Sequence, residues 1–193
     1  MKKNEKNKHI NTIKIFISFI PWIAFWVLGG NIDFLHVITI SFALSLLFFL
    51  KDFQQKKYKV LDIGTLIFFV AVLLSSFTQF LEKIQFYALP LSNLAMFVIV
   101  LFSLLIRKPF TIEYAKEEVE EQYWKSSRFQ YINFVLSNVW GLAFAINAVV
   151  SYLYVLHPQN IDLIVHALSL LGAIVFTAWY PKYARKSKPT KLS

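Results

Sequence analysis

Asp33 and His36 stand three residues apart, and Asp162 and His166 stand four apart. Either spacing puts a pair on one face of a helix. Two carboxylates and two imidazoles brought together would hold a divalent metal or pass a proton. Each residue also has a plainer use, since Asp caps helix starts and His is ordinary at interfaces. No metal or other cofactor is assigned; Asp33, His36, Asp162 and His166 are simply the residues that would supply ligands. Asp62 opens a long apolar run. An ionisable group inside a membrane is costly and marks a relay or substrate path by default, so Asp62, Asp162 and His166 are the transport or relay candidates. Three polar stripes accompany them. Asn133, Ser137, Trp140, Phe144 and Asn147 share one helical face; Asp162, His166, Ser169, Ala173 and Thr177 share another; Asp62, Thr65 and Ser76 share a third. The plain use of such stripes is hydrogen-bonded contact between helices, helped by small residues such as Gly141, Ala145 and Ala173.

The elements that would carry these residues are membrane helices. The chain has 193 residues, 57% of them hydrophobic and 16% charged, with 20 Phe and no Cys. Without cysteine there are no disulfides, thiolate metal sites or thiol nucleophiles. A run of roughly 20 apolar residues spans a bilayer as a helix. Six runs approach that length: 13–30, 34–50, 60–80, 86–106, 132–156 and 161–180. The N-terminus lacks a small-residue cleavage site after its apolar stretch, so the first run reads as a retained span. Backbone in lipid must satisfy its own hydrogen bonds. The expected fold is therefore an all-α polytopic bundle of six transmembrane helices over 13–180, with a basic N-terminus 1–12 and a basic tail 181–193.

Lys and Arg set the orientation, because they are retained on the cytoplasmic side. With six spans, nineteen of the twenty basic residues fall on one side and Lys83 alone on the other. Both termini are then cytoplasmic. The net charge of +9 follows from that placement and from contact with anionic membrane lipids, without nucleic acid as a partner. Trp22, Trp26, Tyr87, Tyr131, Tyr152, Tyr154, Trp179 and Tyr180 lie near span ends, where aromatic belts form, while Trp140 lies mid-span and is expected to pack inside.

One charged segment interrupts the apolar pattern, RKPFTIEYAKEEVEEQYWKSSRF at 107–129. Pro109 stops the preceding helix and Thr111 is placed to cap a new one. Ile112, Ala115, Val119 and Tyr123 then recur at helical spacing, with Glu113, Glu117, Glu118, Glu120 and Glu121 opposite. The pattern predicts a short amphipathic cytoplasmic helix within the loop 107–131, lying on the membrane surface. Glu121 and Lys125 make a favourable i,i+4 pair in that helix, while Glu113–Glu117 and Glu117–Glu121 repel. The acidic face is either solvated or matched by a basic partner, in the C-terminal tail or in another protein.

Nucleotide, hydrolase and zinc-protease motifs are absent from the sequence. Five glycines are too few for a phosphate loop, and the loops are too short for a catalytic domain, so a non-enzymatic protein is expected.

The order of short motifs is suggestive: SFIPWIAFW in the first span, RKPF after the fourth, a loop bearing Trp124, INFVLSNVWGLAFAINAVVSYLY in the fifth, then PQN at 158–160. This layout resembles the intracellular septation protein A family of bacterial inner-membrane proteins. The positions that carry the likeness are Pro21, Lys108, Pro109, Asn138, Trp140, Asn147, Pro158, Gln159 and Asn160. The PFTIEYA stretch is similar to uncharacterised relatives with a Pro-Phe-Thr-x-x-Tyr-Ala motif. The resemblance implies a bacterial cytoplasmic (inner) membrane protein acting in envelope maintenance and cell division or elongation. Its partners would be other membrane or envelope proteins, a homo-oligomer included, and it implies no catalytic residues. Under that reading Glu113, Glu117, Glu121, Asn133, Asn138, Trp140 and Asn147 are interaction or packing residues. The rival reading is a small transporter or channel using the stripes of the third, fifth and sixth spans.

Overall fold

The computed structural model describes residues 17–158 and 160–186, with side chains for all of these except 160–163, 185 and 186. The basic N-terminus 1–12, Gln159 and the tail beyond 186 lie outside the described residues. All regular structure among the described residues is helical. The helices are α1 (Ile20–Leu28), α2 (Phe34–Gln54), α3 (Val60–Ser75), α4 (Leu81–Phe86), α5 (Ala88–Leu105), α6 (Thr111–Lys116), α7 (Ser127–Leu156) and α8 (Asn160–Lys186). A single 3-10 turn, Glu121–Tyr123, lies between α6 and α7.

Among the described residues each of the six apolar runs contains a helix, and four helices are long and apolar enough to cross a membrane: α2, α5, α7 and the Ile164–Ala184 part of α8. Helix α3 is apolar but has 16 residues, about 24 Å at 1.5 Å per residue, against a hydrocarbon core of roughly 30 Å. It stops short of residue 80 because hydroxyls compete for its last carbonyls. Ser75 Oγ donates to Val72 O at 2.5 Å and Ser76 Oγ to Leu73 O at 2.6 Å. Helix α1 has nine residues.

Helix α5 lies along α7, α7 along α8, α2 along α3 and α1, and α3 along α5. Aromatic rings fill the space where α1 enters. Phe19 stacks on Trp140 at 5.1 Å, Trp22 stacks on Phe68 at 4.8 Å, and Phe25 meets Phe69 edge-on at 5.5 Å. Trp22 is fully buried, so it is a core residue rather than the belt anchor its position in the sequence suggests. Its indole N–H explains the difference, because it donates to Thr65 Oγ1 at 2.8 Å on α3 and needs no interfacial water. Tyr131, Tyr152 and Trp179 are exposed, as belt residues are.

The amphipathic helix of the charged segment is shorter than its pattern predicts. Helix α6 is six residues long. Past it, Trp124 Nε1 donates to Val119 O at 2.7 Å and Gln130 Nε2 to Trp124 O at 2.7 Å, which folds the chain back on itself. Ser126 then caps α7, its Oγ accepting from Phe129 N at 3.3 Å, so α7 starts five residues before the expected 132. With the helix ended at Lys116, Glu121 and Lys125 are not one helical turn apart. Thr111 does not cap α6 either. Instead Pro109, Phe110, Thr111, Ile112 and Tyr114 are all buried against the bundle.

Close approach of α3 and α5 depends on Gly64. A Cβ there would stand 2.6 Å from Ile99 Cγ1 and 3.0 Å from Ile99 Cγ2, the branch atoms of a stiff side chain. Gly64→Ala is expected to lower stability by roughly 1–3 kcal/mol, and Ile99→Ala in the same chain to recover part of it, read as thermal melting in detergent. A neutral Gly64→Ala single variant would contradict this contact.

Candidate functional site

The polar stripes of α7 and α8 face each other and are joined directly. Trp140 Nε1 donates to Thr177 Oγ1 at 3.0 Å, and Thr177 Oγ1 passes its own proton to Ala173 O at 2.8 Å. About two turns further along, Ser169 Oγ donates to Asn147 Oδ1 at 2.5 Å. Between α1 and α5, Trp26 Nε1 donates to Ser92 Oγ at 2.9 Å. Ser137 and the Asn133 carbonyl meet the charged segment instead, while the Asn133 amide donates to Phe129 O of its own helix at 2.9 Å. Thr111 Oγ1 donates to Asn133 O at 3.0 Å and lies 3.1 Å from Ser137 Oγ. Asn138 is exposed, and its amide donates to Phe134 O of its own helix at 2.8 Å. Its neighbours fill the i, i+3, i+4 positions of the inward stripe, which leaves Asn138 on the outside.

A charged cluster closes one end of the bundle, where α2 ends, α3 begins and α6 packs. Lys59, just before α3, is its centre. Its Nζ lies 2.9 Å from Asp52 Oδ2 on α2 and 3.4 Å from Glu117 Oε1, and 4.8 Å from the Tyr114 ring centroid. Lys57 Nζ reaches the same Glu117 oxygen at 3.2 Å. Tyr114 Oη donates to Asp62 Oδ1 at 3.5 Å. The expected acidic face of the loop is thus divided. Glu117 is neutralised by the 57–59 turn, Glu113 by Lys116 at 2.9 Å, and Glu121 is exposed. Lys116 also lies over the Trp124 ring at 5.4 Å.

The charges in this cluster follow from burial and pairing. Burial pulls the Lys59 ammonium down in pKa, but its hydrogen bond to Asp52 and the charges of Asp62, Asp52 and Glu117 outweigh that, leaving it above the ordinary lysine value. A raised lysine pKa means stabilisation that is complete below the unfolded value and lost as the pH rises through the folded one. The Lys59 ammonium therefore stays charged at neutral pH, and its contribution is lost in strong alkali. Burial, and then the Asp62 charge, push the Tyr114 hydroxyl well above its usual range, so it stays a neutral donor. Asp62 itself is 5% exposed, and its Oδ2 is enclosed without a hydrogen-bond partner. It borders a cavity of about 160 Å³ shared with Asp52, Lys59 and Glu117.

Asp33 and His36 make a local pair at the start of α2. Asp33 caps α2, accepting from Leu35 N at 3.0 Å, and holds His36 Nδ1 at 3.2 Å; both side chains are exposed. His166 is half-buried with its ring edge-on to Trp26 at 6.4 Å. Asp162 lies outside the residues whose side chains are described. Among the described residues no three His, Cys, Asp or Glu side chains meet to hold a metal.

Sequence reasoning missed Asp52, Lys57, Lys59 and Tyr114. A carboxylate in the last turn of one apolar helix and another in the first turn of the next, with lysines between, was the available signal, because such charges need partners. Thr111 tests the anchoring of the segment. Thr111→Val keeps the shape and loses the hydroxyl bonds, so stability should fall by about 1–2 kcal/mol, with protease cleavage near residues 117–126 becoming faster; Thr111→Ser should retain most of both. Equal behaviour of the two variants would contradict the anchoring. Compared with known proteins, the chain matches no family model, no curated protein and no solved structure.

Proposed function

We propose that this chain is a non-enzymatic integral membrane protein that crosses the bacterial inner membrane six times with both termini in the cytoplasm. It works through contacts with other membrane proteins in envelope maintenance or cell division. The observation that supports this reading is how the buried polar groups are used. Trp140 bonds Thr177, and Asn147 bonds Ser169, helix to helix. Polar groups used in this way hold a bundle in one arrangement. The charged segment 107–131 is in turn folded onto the bundle, leaving Glu120, Glu121 and Lys125 on a shaped, exposed surface. The likeness to the septation protein A layout points the same way, through Trp140, Asn147 and the Lys108-Pro109 pair.

The test is co-purification from the native membrane after mild crosslinking. Envelope or division proteins should be enriched over an unrelated multi-span control, and Glu120→Lys with Glu121→Lys should reduce that enrichment at unchanged expression. Enrichment no greater than the control would overturn the proposal.

A second reading, a small transporter or channel, is favoured by one observation, the enclosed and unpartnered Asp62 Oδ2 beside its cavity. Reconstitution into liposomes with a panel of ions and small solutes separates the two. Flux that Asp62→Asn abolishes would favour transport, and no flux above empty liposomes would leave the contact reading standing.

A further inference from the structure

Two helix ends at the charged end of the bundle are built alike. Helix α2 closes with Lys57 N donating to Asp52 O at 2.8 Å and Lys56 N to Phe53 O at 2.9 Å. Helix α5 closes with Lys108 N donating to Ser103 O at 2.9 Å and Arg107 N to Leu104 O at 3.0 Å. Both are Schellman caps, in which the residue after the cap takes the left-handed conformation and is usually glycine. Here that residue is Lys56, with φ of 56°, and Arg107, with φ of 57°. Among the described residues these two are the non-glycine residues with positive φ. The helix dipole favours a cation near each end, but it does not require a side chain at the one position where glycine escapes the steric cost.

Both strained residues line the same groove, of about 660 Å³, between the 56–59 turn and the charged segment. Its carboxylates are already matched, Glu113 by Lys116 and Glu117 by Lys57 and Lys59. Lys56, Arg107 and Lys108 have no carboxylate within ion-pair distance among the described residues, and all three are exposed. The groove is therefore an unneutralised cationic site. Its place at two helix ends indicates the anion. The caps end two helices long and apolar enough to cross a membrane, and at the same two helix ends Phe53, Leu105 and Ile106 present exposed apolar side chains. Tyr58 and Trp124 line the groove, and their ring types are enriched at membrane interfaces. Cations above an apolar surface match one kind of ligand, a phosphate headgroup with acyl chains beneath it.

We infer that the groove between the α2 and α5 caps is a binding site for an anionic phospholipid, with Lys56, Arg107 and Lys108 on the headgroup phosphate and the chains along Phe53 and Leu105. The inference rests on α2 and α5 spanning the membrane and is independent of any protein partner. It explains why basic side chains hold two positions suited to glycine.

The full-length protein in neutral detergent micelles provides the test. Adding phosphatidylglycerol should raise the melting temperature well beyond the rise given by phosphatidylcholine at equal mole fraction. The paired variant Lys56→Gly, Arg107→Gly relieves both left-handed residues. It should melt no lower than the parent without added lipid, yet bind phosphatidylglycerol roughly tenfold or more weakly, given about 1 kcal/mol per basic residue at an anionic surface. Lys125→Gln with Lys182→Gln removes the same charge outside the groove and should leave lipid affinity within twofold. The inference is overturned if this control weakens binding as much as the groove variant, if the groove variant binds like the parent, or if inorganic phosphate alone reproduces the phosphatidylglycerol effect. If the paired glycine variant fails to fold, Lys56→Gln with Arg107→Gln serves for the same comparison, with the same outcomes deciding.

Discussion

A lysine ammonium at the end of an apolar bundle must be met by carboxylates. Lys59 has 11% of its side chain exposed, and it sits between Asp52 on α2 and Glu117 on the charged segment. Removing one partner from a buried pair leaves a charge without compensation, which is costlier than never having buried the pair. That constraint links three parts of the chain that are distant in sequence: the end of α2, the start of α3 and the segment after α5. Once Glu117 is held there, α6 lies against the bundle, Tyr114 is carried over Lys59 and against Asp62, and Thr111 reaches α7. The charged segment is charged because it supplies the counter-ions for the turn it covers.

The interior of the long helices is organised differently. There the bonding side chains are neutral, and several tie one helix to another, as Trp140 does Thr177 and Trp22 does Thr65. Such bonds fix which faces meet without requiring a buried charge. Glycine and hydroxyl residues complete the packing. Gly64 admits Ile99, and Ser75 and Ser76 end α3 early.

Much of this was legible in the sequence. The apolar runs predicted where helices form, and the inward face of α7 was read correctly at Asn133, Trp140 and Asn147, because a period of 3.6 residues is a property of the chain itself. The charged segment was misread for a physical reason. Ile112, Ala115, Val119 and Tyr123 fit a lipid-facing stripe, but Thr111 and Tyr114, off that stripe, are as deeply buried as Ile112. Periodicity reports which face avoids water, not whether lipid or protein covers it. The pairing of Glu117 with Lys57 and Lys59 spans sixty residues in sequence, and no local pattern encodes it.

The central claim is that Glu117 and Lys59 hold the charged segment onto the bundle, and a double-mutant cycle measures it most directly. Melting or denaturant unfolding of Lys59→Met, Glu117→Gln and the combined variant yields their coupling. The account predicts a favourable coupling within the roughly 0.5–3 kcal/mol seen for contacting residues, undiminished at neutral pH by moderate salt because the pair is largely buried. Strict additivity of the two substitutions would contradict it.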